Sequence, residues 1–186
     1  MAKLDKNETG VLVIDMQESI MSKVERSCDI ALNALKVING ARILQMPIIT
    51  SEQYPEGLGK TIPAISGALT TPPIAKTSFS CMGSDELKRA LDRPNWIIVG
   101  IEAHVCVLQT AKDLFEAGHN PIVLNDAISS RSIFDYSTAI AEMRDLGIRV
   151  SSVETVLFEL IQDSKHESFK QISSLVKCAE NSFCCG

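Results

Sequence analysis

Four consecutive apolar residues at 11–14, Val-Leu-Val-Ile, followed at once by Asp15, constrain this chain more than any other feature. A strand with one wet face alternates apolar and polar residues, because successive side chains point to opposite sides. An unbroken apolar run too short for a helix fits a strand covered on both faces, and such strands belong to parallel sheets. The same signature returns at 47–50, 96–99 and 121–124, more weakly at 148–150, and briefly at 74–75 before Lys76. Six strands are therefore expected.

Helical patterns lie between these runs. Ile30, Ala34, Val37, Ile38, Ala41 and Leu44 recur at intervals of three and four, as do Val107, Ala111, Leu114 and Phe115, which is the spacing of an amphipathic helix. Ser84-Asp85-Glu86 has the composition of a shorter helix start, Gly118 and Gly147 stand where left-handed caps end helices, and 166–177 reads as a last helix. Strands alternating with helices imply βαβ units. The expected fold is α/β: a six-stranded, mostly parallel sheet flanked by helices on both faces, a Rossmann-like three-layer sandwich. No repeat or linker interrupts it, so residues 1–186 are read as a single domain, with 177–186 a frayed tail. The stretch 51–73, rich in Gly and Pro, exceeds most connections and is expected to act as a lid or pocket wall.

Composition narrows the function. A chain of 186 residues buries roughly 70% of its unfolded surface without staples, and 45% hydrophobic with 22% charged residues is ordinary for a globular domain. A formal charge of −5 gives no broad basic field, and neither that nor a carboxylate metal cluster is visible, so nucleic acid is not an expected partner and nuclease chemistry gains no support. The first ten residues mix both charge signs and no apolar run approaches the ~20 residues of a spanning helix, so no membrane association and a cytoplasmic address are expected. The six cysteines are scattered and are read as thiols. Cys184-Cys185 has no His or further paired Cys beside it to make a zinc site, and is taken as part of the tail.

Ligands of open α/β sheets bind beyond the carboxyl ends of the strands, where strand order reverses. Asp15 ends the first strand, Lys76 the third, and Cys106 follows the fourth near the start of a helix. A helix start and a nearby lysine both favour a thiolate. An aspartate beside the thiol can take its proton and later return it to a leaving group. Backbone N–H groups around 103–106 can hold an oxyanion. Taken singly, such a Cys is a small hydrophobe, such an Asp a turn residue and such a Lys a solvated charge; only their joint placement points to chemistry. His104 stands two residues from Cys106, which on a helix points the two apart, so a Cys-His dyad is not expected. His119 and His166 are read as structural.

The local sequences Val-Leu-Val-Ile-Asp15-Met-Gln17, Ile-Ala-Lys76-Thr-Ser-Phe79-Ser and Val-Gly-Ile-Glu-Ala-His-Val-Cys106-Val together resemble the isochorismatase-like cysteine hydrolase superfamily. The stretches 50–59, 126–131 and 166–170 look like its branch of isochorismatase domain-containing proteins. The resemblance implies an Asp15-Lys76-Cys106 triad, a cis peptide joining Ile101 to Glu102 and shaping an oxyanion hole with Ala103, and a homo-oligomer. By their positions Gln17, two places beyond Asp15, Tyr54 on the long loop and Phe79 after the lysine are expected to line the pocket and bind substrate, with Glu102 beside the oxyanion hole. Nicotinamidases of the family hold a metal with an Asp-x-His motif and a further His after the second strand; this chain has Ser51-Glu52-Gln53-Tyr54 there, so no metal and no cofactor are implied. Isochorismatases proper often carry glycine in place of the cysteine, so keeping Cys106 favours acyl-type hydrolysis of a small amide, imide or ester-like substrate through a thioester. Asp126 and Arg131 are read as a structural or subunit-interface ion pair. The rival reading is an interaction module that keeps the fold with little turnover.

Overall fold

The computed structural model describes residues 3–177. Its elements run β1 (Thr9–Ile14), α1 (Glu18–Met21), α2 (Ser27–Leu44), β2 (Ile48–Gln53), α3 (Pro55–Leu58), α4 (Pro63–Ser66), β3 (Ile74–Lys76), α5 (Asp85–Ala90) and β4 (Asn95–Ile101). A π-helical turn (Ala103–Val107) follows, then α6 (Leu108–Glu116), β5 (Asn120–Ser129), α7 (Ile133–Asp145), β6 (Arg149–Ser151), α8 (Val153–Ile161) and α9 (Phe169–Val176). All six expected strands form, and they pair in the order β3-β2-β1-β4-β5-β6, every pair parallel.

The apolar runs become strands because each of their two faces meets a helical layer. Val11, Val13, Ile97 and Val99 pack with α2, α8 and α9, while Leu12, Ile14, Trp96 and Ile98 pack with α5, α6 and α7. Every residue of β1 is buried. At about 1.5–3 kcal/mol for each large aliphatic side chain taken fully out of water, these two cores fix which face each residue takes, since a slip of one residue would exchange them. Gly118 and Gly147 do take positive φ at 87° and 82°, ending α6 and α7 as their composition implied.

The chain crosses from one half of the sheet to the other between β1 and β4, and here Gly100 is required. Its φ is +126°, and a Cβ placed on it would lie 2.1 Å from the Ile14 carbonyl oxygen. The two central strands therefore approach more closely at their carboxyl ends than any other residue would permit. Helix α5 opens as its sequence suggested, with the Ser84 hydroxyl accepting from the Leu87 N–H. Helix α8, the short α1, α3 and α4, and all of α7 but its Gly147 end were not read from the sequence, and the last helix begins at Phe169 rather than His166. Strand β2 reaches Gln53, so the irregular stretch starts at Tyr54 and contains α3 and α4. The tail at 178–186, with Cys178, Cys184 and Cys185, lies outside the described residues.

Candidate active site

Asp15 directly follows β1 with φ +51°. The left-handed conformation costs a non-glycine residue about 1 kcal/mol, and Asp is among the side chains that tolerate it best. The carboxylate is wholly buried at the carboxyl end of this central strand. Lys76 closes β3 two strands away, and its ammonium reaches Asp15 Oδ2 at 2.7 Å with both side chains inaccessible to solvent. The ammonium also donates to Gln53 Oε1 at 2.7 Å and to the carbonyls of Ser78 (3.2 Å) and Phe79 (3.0 Å). Ser51 Oγ donates to Asp15 Oδ1 at 2.7 Å. A charge removed from water costs several kcal/mol unless it is paired and hydrogen-bonded. Here Ser51 and Gln53, one face of the end of β2, supply what the pair needs.

Cys106 sits in the π-helical turn after β4, 6% exposed, and forms part of a cavity of about 230 Å³. Ile20, Leu58, Phe79 and Val105 give the cavity apolar walls, while Lys23, Glu102 and Arg131 bring charge to it. Burial pushes the Cys106 thiol well above its ordinary pKa, and the negative charge of Asp15 adds to this, outweighing the opposing pull of Lys76. The helix-start argument for a ready thiolate is therefore overruled. Low dielectric and a nearby carboxylate keep the proton on sulfur. A second thiol, Cys81, is wholly buried and donates to Ser51 Oγ at 3.6 Å. Burial first, and the Asp15 charge next, push it up to about 11. Cys28, Cys81 and Cys106 are all free thiols.

The remaining candidates separate. The Ile101–Glu102 peptide is cis. Phe79 lines the cavity, whereas Tyr54 is not among its lining residues and borders a shallower depression with Pro55 and Thr77. Gln17 is fully buried and committed: its amide donates to the carbonyls of Gln53 and Gly59, and its Oε1 accepts from the Gln53 N–H. It is a strut that ties the loop after β2 to β1. Val105 N–H and Val107 N–H both donate to the Glu102 carbonyl, which removes Val105 from the oxyanion donors of 103–106.

Asp126 and Arg131 do not pair. Arg131 Nε and backbone N–H both donate to Glu102 Oε1, at 2.9 and 3.2 Å. The Asp126 carboxylate instead accepts from Val153 N–H at the start of α8, where the free N–H groups of a helix favour negative charge. The ring of His104 meets Ser130 Oγ at 2.9 Å, with Asp135 at 3.9 Å, and makes no dyad with Cys106. Glu52, in the place of the nicotinamidase metal motif, holds the loop. It accepts from Thr61 N–H and Oγ1 and from Lys60, and these bonds outweigh the opposing effect of burial to hold its pKa below the usual range. Sequence reading missed Ser51, Gln53, Cys81 and Lys23. The first two were legible as polar residues two apart at the carboxyl end of an apolar strand; Lys23 lies in a segment with no periodic signal.

The family model for the isochorismatase domain matches residues 9–155. The chain belongs to the isochorismatase family. Isochorismatase domain-containing protein 2 of Danio rerio is 38% identical over 177 residues, covering 94% of this chain and 89% of that protein. A structure described as MAR1 ribonuclease from Caenorhabditis elegans superposes with a TM-score of 0.90 at 36% identity, covering 100% of this chain and 99% of the other. The YcaC product of Escherichia coli, described as an octameric hydrolase of unknown specificity, shares the fold with a TM-score of 0.89 at 23% identity over 94% of this chain and 89% of that one. The part of the chain matched to the isochorismatase family contains Asp15, Lys76 and Cys106, and ends within α8.

Proposed function

We propose that this isochorismatase-family protein hydrolyses a small amide, imide or ester-like substrate with Cys106 as nucleophile. The supporting observation is a buried Asp15–Lys76 ion pair whose carboxylate raises the pKa of a nearby thiol, Cys106, that opens on a cavity of about 230 Å³. That volume lies below the roughly 300–1,000 Å³ of pockets for drug-sized ligands, which suits a small molecule.

In the first half-reaction the Cys106 sulfur bonds to the carbonyl carbon while its proton passes to Asp15. The carbonyl electron pair moves to oxygen, and backbone N–H groups near Ala103, beside the Ile101–Glu102 peptide, stabilise the oxyanion. The oxyanion collapses, the bond to nitrogen or oxygen breaks, and the Asp15 proton accompanies the leaving group. Water, deprotonated by Asp15, then attacks the thioester, releasing the acid and restoring the thiol. Lys76 fixes the position of the carboxylate through its 2.7 Å contact to Oδ2. Phe79 forms part of the substrate wall. On this reading no metal or other cofactor takes part, the chain acts as one domain in a homo-oligomer, and its compartment is the cytoplasm; light scattering and cell fractionation check the last two.

A panel of small amides, imides and esters, assayed with wild type, Cys106→Ala and Asp15→Asn in parallel, tests the reaction. Any activity belonging to this site falls roughly 10³-fold or more in Cys106→Ala. A turnover that survives that substitution unchanged refutes the nucleophile, and partner binding that survives it with no turnover in any arm favours the interaction-module reading. The C. elegans relative described as a ribonuclease supplies a second reading, and the cations Lys23 and Arg131 at the cavity are the observation in its favour. RNA cleavage by wild type that disappears in Lys23→Gln but persists in Cys106→Ala would establish it.

A further inference from the structure

Lys23 and Arg131 have no place in the hydrolytic steps, yet both border the cavity that holds the thiol. None of the ion pairs of the described residues involves Lys23. Arg131 is tethered to Glu102 through Nε and its backbone N–H, and these bonds do not use the two terminal amino groups of its guanidinium. Two cations against the single Glu102 carboxylate leave one positive charge at the mouth, while Asp15 and Lys76 cancel below it. The surrounding chain carries a formal charge of −5. A positive mouth over apolar walls on an acidic protein focuses its field on one place, and fixed charges lining a low-dielectric cleft raise the local concentration of ligands of opposite sign.

We propose that the substrate of this site carries a carboxylate, and that Lys23 and Arg131 bind that group while the scissile carbonyl faces Cys106. The substrate is thus a small carboxylic acid bearing an amide, imide or ester at its other end. Arg131 offers its terminal amino groups as a forked donor to the carboxylate oxygens, and Lys23 adds a mobile point charge. The carboxylate is a handle and is not consumed. This inference rests on Cys106 being the nucleophile proposed above, so its test must separate the two.

Iodoacetate and iodoacetamide provide the separation. Both alkylate sulfur with loss of iodide and are nearly the same size; one is an anion and the other neutral. The ratio of their rates at one cysteine cancels that cysteine's thiolate fraction and reports the local field. Adducts are mapped by mass spectrometry on the whole native protein, with the exposed Cys28 as internal reference. The iodoacetate-to-iodoacetamide ratio at Cys106 is expected to exceed that at Cys28 by roughly tenfold at low salt. It falls several-fold in Lys23→Gln and in 1 M NaCl, where screening acts within about 3 Å. Lys23→Gln breaks none of the ion pairs of the described residues; Arg131→Gln also frees Glu102 and lowers the ratio further. Equal ratios at the two cysteines, or a ratio unmoved by both substitutions, overturn the carboxylate handle and leave the nucleophile standing. A native Cys106 inert to both reagents, but labelled after unfolding, overturns the nucleophile and the handle with it.

Discussion

Replacing Lys76 with methionine keeps an unbranched side chain, one atom shorter, and removes the charge and donors. The ammonium holds four acceptors: Asp15 Oδ2, Gln53 Oε1 and the carbonyls of Ser78 and Phe79. Without it the Asp15 carboxylate is left fully buried, with the Ser51 hydroxyl as its side-chain donor. Breaking a buried ion pair from one side costs about 3–5 kcal/mol, and the stranded amide oxygen of Gln53 adds roughly 1 kcal/mol, so Lys76→Met is expected to lose about 4–6 kcal/mol. That is a large part of the 5–15 kcal/mol available to a typical domain. Urea unfolding measures it, and Trp96, the one tryptophan and fully buried, supplies the fluorescence signal. Removing the carboxylate as well, in the Asp15→Asn/Lys76→Met double variant, should recover much of the loss, because no unpaired charge is left behind. A loss below about 1 kcal/mol, or a double variant no better than the sum of the singles, would refute the claim that the pair is one buried unit.

Gly100→Ala drives a Cβ to 2.1 Å from the Ile14 carbonyl at φ +126°, and a loss of roughly 3 kcal/mol or more by urea unfolding is expected. Cys81, 0% exposed behind Ser51, should resist iodoacetamide in the native protein while Cys28 reacts, and should label on unfolding; native labelling of Cys81 would contradict its place behind Ser51. Glu52, held below the usual carboxylate range, contributes stability that is full above an unfolded value of about 4.3 and lost as pH falls through its lower folded pKa. The stability difference between wild type and Glu52→Gln should therefore shrink in acid, read by urea titrations at several pH values.

The sheet was legible because both-face burial leaves the plainest mark a sequence can carry, an apolar run such as 11–14, and even the three residues of β3 announced themselves through Lys76. Helix α7 was hidden because Ile133 and Phe134 are exposed and blur the stripe formed by Ala139, Ile140 and Met143. Helix α8 carries its signal openly, at Val153, Val156, Leu157, Leu160 and Ile161, but its β-branched residues and near-continuous apolarity resemble a strand. Asp15, Lys76 and Cys106 were legible as reactive types at strand ends. What surrounds them was not, since partners are set by three dimensions: Arg131 finds Glu102 and Asp126 finds α8 across 29 and 27 residues of chain. The thiol's pKa was misjudged for the same reason. Its place after a strand was visible in one dimension, whereas the burial and the facing carboxylate that raise it were not.

The most direct test of the nucleophile is to catch the acyl-enzyme. Wild type and Asp15→Asn are mixed with an activated aryl ester of a small carboxylic acid, quenched in acid within the first turnovers, and digested for peptide mapping. The acyl group should appear on the peptide carrying Cys106 in wild type, form far more slowly in Asp15→Asn, and be absent from Cys81. Ester turnover with no acyl group on Cys106 at any time, or with the label on another residue, would contradict the account.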